Sequence, residues 1–135
     1  PLLIFIFHYF NWKDSNDYIV SLELMEHLFG IFIMPLSETN TCCCINTLMN
    51  ITVKKNYYLF KKTLQNLRIP IIDKIFDVAT NSAPNSQIQR FAINTILNIS
   101  LNTDEYFLLE DKYINAIYTL IKADEIDDHL KEQLI

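Results

Sequence analysis

The residues able to do chemistry in this 135-residue chain are few, and their spacing does not suit catalysis. The three cysteines are consecutive: Cys42, Cys43 and Cys44. Neighbours on a helix project about 100° apart, so they cannot adopt ordinary disulfide geometry with one another. A zinc site needs spaced Cys or His pairs, and His8, His27 and His129 are scattered along the chain. The expectation is buried, reduced thiols and no metal. One glycine, Gly30, cannot build a phosphate-cradling loop. There is no G-x-S-x-G, no H-E-x-x-H and no H-x-E with paired cysteines. The acidic pairs Glu110-Asp111 and Asp127-Asp128 fall at expected helix boundaries, where solvation or the helix dipole accounts for them. No enzyme and no cofactor is expected. What remains is a narrow polar strip, Arg90, Asn94 and Asn98, spaced i, i+4, i+8 on an otherwise apolar segment.

The elements that would carry that strip are helical. Half the residues are apolar and only one is Gly, which suits a helix-rich core. An apolar segment covers 2–10, and 11–17 (NWKDSND) reads as a loop in which Ser15 or Asn16 can cap the next helix. Helices are expected over 18–34, stopped by Pro35, then over 41–53 after a polar break at 37–40. A short helix over 57–67 precedes one from Pro70 to about Thr80, with Pro70 in its first turn. The run 81–85 (NSAPN) is a loop, Ser86 an N-cap, and 87–101 the strongest helix. Further helices are expected over 104–111 and 113–123, with a hinge at 124–128 and a last helix beyond it. No strand pattern competes, because a lone strand over 2–10 would have no partner.

Charge narrows the classes of partner. The formal charge of −5 gives no reason to expect nucleic acid, which needs clustered cations. The basic group Lys54, Lys55, Lys61, Lys62 and Arg68 and the acidic residues from Asp104 to Asp128 read as solvated faces. No stretch is long and apolar enough for a bilayer, and no signal peptide is recognisable. An intracellular protein is the default, in the cytoplasm with the nucleus as a second place. The start at Pro1 and the apolar end Leu134-Ile135 lack polar caps, so a piece of a longer array is expected.

A self-match decides the expected fold. CINTLMNIT (44–52) and AINTILNIS (92–100) share five of nine positions at an offset of 48 residues. The match continues from 56–60 to 104–108. After a short deletion, Ile72, Ile75, Phe76 and Val78 align with Ile114, Ile117, Tyr118 and Leu120. The units are 37–80 and 86–123, with partial units over 1–36 and 124–135. One such unit cannot bury its own apolar faces, but stacked neighbours can. The pattern resembles armadillo repeats, in which a helix ending in an L-x-N-L/I-S/T motif precedes a short helix and a further helix. LMNIT (48–52) and ILNIS (96–100) look like that motif. HEAT repeats share the stacked-helix logic. The family's usual Gly before the third helix is replaced by Arg68-Ile69 and Lys112-Tyr113, and the spacing exceeds the family's forty-odd residues.

The resemblance implies an all-α, right-handed α-solenoid whose concave groove holds another protein, as an extended peptide or a helix, and no small-molecule substrate. It places Asn50 and Asn98 where the family's Asn bonds a peptide backbone. An amide carries both donor and acceptor, so it can pair with a peptide bond whatever the side chain. The same amides could instead bond a neighbouring unit and fix the stack. Asn46 and Asn94 stand where nuclear-import receptors carry Trp, which counts against a cargo receptor for basic signals. Cys42 and Arg90 extend the two strips. A scaffold or adaptor is the expectation, and a purely structural region of a larger protein is the alternative.

Overall fold

The computed structural model describes residues 2–12, 18–53, 57–67, 70–102 and 111–122. All regular structure among them is helical: α1 (Leu2–Trp12), α2 (Tyr18–Phe32), α3 (Glu38–Ile51), α4 (Tyr57–Asn66), α5 (Ile71–Asn81), α6 (Gln87–Asn102) and α7 (Asp111–Lys122). None is long and apolar enough to cross a membrane. Residues 104–110 of the expected helix over 104–111, the hinge at 124–128, the last helix and the caps at Ser15 or Asn16 fall outside the described residues, and Asp111 opens α7, which was expected to begin at Tyr113.

Among the boundaries that differ from the sequence expectation, two do so for evident local reasons. The helix expected from Thr41 begins at Glu38, because Ser37 caps it: its hydroxyl accepts from the Asn40 amide at 3.2 Å, and its carbonyl accepts from the Thr41 amide at 2.9 Å. The polar run 37–40 is therefore a cap and a first turn rather than a break. Pro70 precedes its helix rather than entering it, and its carbonyl takes the first helical bond from the Lys74 amide. Between α5 and α6 the chain turns through Asn85, whose φ of 62° lies in the left-handed region that Asn tolerates better than most residues.

The helices pack in two rows. Along one, α1 lies on α3 and α3 on α6; along the other, α2 touches α5 and α5 touches α7. The rows meet where α2 contacts α1 and α3 and where α5 contacts α6, while α4 sits against α2 and α3. The two copies of the self-match, in α3 and α6, thus lie side by side. Cys44, Ile45, Thr47, Leu48 and Ile51 are buried, and so are their counterparts Ala92, Ile93, Thr95, Ile96 and Ile99. The buried threonines even solve the same problem in the same way. Thr47 donates to the Cys43 carbonyl at 2.8 Å and Thr95 to the Phe91 carbonyl at 2.7 Å. Rings close the joints between helices: Phe29 of α2 meets Phe60 of α4 edge-on at 5.5 Å, and Phe76 of α5 stacks on Tyr113 of α7 at 4.8 Å.

Candidate partner-binding face

The register set by the Ser37 cap turns Cys44, Ile45, Leu48 and Ile51 inward and leaves Cys42, Asn46 and Asn50 half-buried on the adjoining strip of α3. Ser86 sets the register of α6 in the same way, accepting from the Gln89 amide at 3.2 Å. Arg90 is then exposed, and Asn94 and Asn98 are half-buried. The six strip residues do not form one uniform ladder. Asn98 reaches across to α3: its amide nitrogen donates to the Met49 carbonyl at 3.0 Å and to the Thr52 hydroxyl at 3.3 Å. The Thr52 hydroxyl in turn donates to the Leu48 and Met49 carbonyls, at 2.9 and 3.0 Å. A polar joint therefore ties α6 to the end of α3, where the Leu48 carbonyl also accepts from the Thr52 amide at 3.0 Å and the Met49 carbonyl accepts from both side chains. Asn50 donates to Asn46 at 3.5 Å along its own helix, and Arg90 donates through Nε to the Asn85 carbonyl at 3.3 Å.

Cys42 and Asn46 have a different setting. With Cys43 they form the middle of a cleft of about 520 Å³ that runs across three helices, bounded by Phe7 of α1 on one side and Ile88 and Phe91 of α6 on the other. Glu38, Thr39, Ser86 and Gln87, at the starts of α3 and α6, form its polar end. Asn50, Asn94, Asn98 and Arg90 do not line it. Residue type alone assigns Phe7, Ile88 and Phe91 to the core. The signal for Phe91 lies in its place one residue before the second motif copy, but nothing in the spacing brings Phe7 to that position.

The thiols are poor nucleophiles. Burial, with the adjacent Glu38 carboxylate, raises the pKa of Cys42; burial, with Cys42, raises that of Cys43. Burial, with Cys43, pushes Cys44 up to about 12. All three are free and stay protonated near neutral pH, but only Cys44 is buried, whereas Cys42 and Cys43, expected to be buried too, are half-exposed beside it. Among the described residues no group of three His, Cys, Asp or Glu side chains is placed to hold a metal ion. The cleft offers apolar contact, the amides of Asn46 and Gln87, the hydroxyls of Thr39 and Ser86, and the carboxylate of Glu38.

Comparison with protein-family models, with curated proteins and with solved structures finds no match for the chain.

Proposed function

We propose that the chain is part of a right-handed, armadillo-like solenoid acting as a protein-interaction scaffold in the cytoplasm or nucleus, with a partner segment held across α1, α3 and α6. The observation that carries this reading is the cleft shared by those three helices, because a groove crossing neighbouring helices suits an extended chain lying transverse to them. The side-by-side α3 and α6, with matched buried positions, support the solenoid. Cys42 and Asn46 are the strip residues positioned for contact. The Asn98 joint favours a second reading, a purely structural region, since there the recurrent amide serves the stack.

Panning a random dodecapeptide phage library against the chain separates the two. Thr39 is exposed at the cleft, so Thr39→Trp fills it, while Lys62→Trp on α4 is a control away from it. Selected peptides are expected to lose binding to Thr39→Trp and to keep it with Lys62→Trp. Peptides indifferent to Thr39→Trp sink the groove reading, and recovery of none favours the structural one.

A further inference from the structure

A second cleft, of about 420 Å³, adjoins the first and shares Glu38, Ser86 and Ile88 with it. It lies between the start of α3 and the end of α5, and Asp77 and Asn81 form its outer wall. The two clefts make one trough with an uneven chemistry. Its inner part is apolar, with the half-buried rings of Phe7 and Phe91 beside Ile88. Its outer part holds two carboxylates, Glu38 and Asp77, and no Lys or Arg lines either cleft among the described residues. Arg90 is held on the Asn85 carbonyl, and Lys74 lines a neighbouring cleft together with Asp73 and Asp77, so Glu38 is the carboxylate that no described Lys or Arg shares a cleft with. Asp77 is steadied by Asn81, whose amide donates to it at 2.6 Å.

From this pairing we infer that the partner segment carries a large apolar side chain next to a Lys or Arg. The apolar side chain enters between Phe7 and Phe91, and the cation sits between Glu38 and Asp77. The inference rests on the groove reading and specifies its occupant: a protein segment chosen by side chains rather than by its backbone alone. The inner cleft, at about 520 Å³, has room for a large apolar side chain. Complementary charge at a rim selects among partners more than it adds affinity.

The test uses four pools of acetylated heptapeptides with random flanks and a fixed centre: Leu-Lys, Leu-Glu, Ser-Lys or Ser-Glu. Each is titrated into the whole chain while the backbone amides of Thr39, Cys42, Asn46 and Phe91 are followed by NMR. Leu-Lys is expected to bind about three- to fivefold more tightly than Leu-Glu, the upper end for an exposed charge pair, because two carboxylates face the one cation. The Glu38→Gln/Asp77→Asn variant, whose fold is checked by its amide spectrum, is expected to bring the two pools within about twofold of each other. Equal binding of the two Leu pools at the cleft overturns the charge pairing and leaves the groove standing. A preference that survives in the double variant does the same. If Ser-Lys binds as well as Leu-Lys, the apolar anchor is wrong. If no pool moves those amides, the inference fails, and the groove itself is judged by the phage selection.

Discussion

Asn98 joins two helices with a single amide, and the cost of losing it can be bounded. Its nitrogen serves the Met49 carbonyl and the Thr52 hydroxyl, both at the end of α3. Removing one partner from a part-buried hydrogen bond typically costs about 1 kcal/mol, more where the other group is left without water. Asn98→Ala is therefore expected to lower unfolding stability by about 1–2 kcal/mol in urea titrations, whereas Asn94→Ala, one turn earlier, should stay within about 0.5 kcal/mol. Equal costs would remove the case for a joint. The sequence placed Asn98 in a recurring motif but left its partner open, because a repeat aligns positions and does not say which neighbour each one faces. Cys44 offers a second test at this scale. Burial raises its pKa from 9.0 to about 12 in the folded chain. The thiolate is thus disfavoured by folding, so the stability linked to this group is complete below about 9 and is lost as pH rises towards about 12. Its counterpart in α6 is Ala92, also fully buried, so Cys44→Ala puts into α3 a residue that this packing accepts. The variant should lose about 1 kcal/mol at pH 7 and show a shallower decline of stability above pH 9, measured by denaturant midpoints across that range. An unchanged alkaline slope would mean that Cys44 does not govern it.

At the scale of elements, the junction from α5 to α6 shows how a cap becomes a tertiary contact. Ser86 and Gln89 have the spacing of a capping box, and Ser86 does accept from the Gln89 amide. The Gln89 side chain, only 3% exposed, goes further than the box requires. Its oxygen accepts from the Asn85 amide at 2.9 Å, and its nitrogen donates to the Ala79 carbonyl at 3.1 Å, near the end of α5. Gln89→Ala leaves both backbone groups without that partner and should cost about 2–3 kcal/mol, against about 1 kcal/mol for Ser86→Ala. The double variant should cost less than the sum, since both changes free the same helix start. Thermal and urea unfolding of the three variants checks this, and strict additivity would show that the two residues act separately. Helix existence was readable because apolar periodicity and breakers agree along the chain. The start of α3 was not, since Glu38, Thr39 and Asn40 look like loop residues until Ser37 is seen to cap them. Pro70 misled in the opposite sense: it fits a first turn, yet the chain uses it as the residue just outside.

At the scale of the whole molecule, the likeness of α3 and α6 was legible and the cleft was not. Matched residues at a constant offset report which helices are equivalent, and α3 and α6 do bury the same positions. A cleft across α1, α3 and α6 depends on how three helices stand together, and Phe7 enters it from a segment with no recognised copy. The same arrangement decides how damage spreads. Stability in a stack is a sum of unit and neighbour terms, so a residue between two neighbours should couple more of the chain than one at a flank. Ile93 is fully buried in α6, which packs on both α3 and α5, whereas Ile117 is only partly buried in α7, which packs on α5. Ile93→Ala is expected to cost about 3–4 kcal/mol, near the middle of the range for a core Ile. Ile117→Ala should cost about 1 kcal/mol, because less of its surface leaves water on folding. Native-state hydrogen exchange distinguishes the two patterns. Ile93→Ala should speed exchange in α3, α5 and α6 together, and Ile117→Ala chiefly in α7. If Ile93→Ala loosens α6 alone, the helices do not form a coupled stack, and the long face they share would lack the rigidity that holding a partner segment requires.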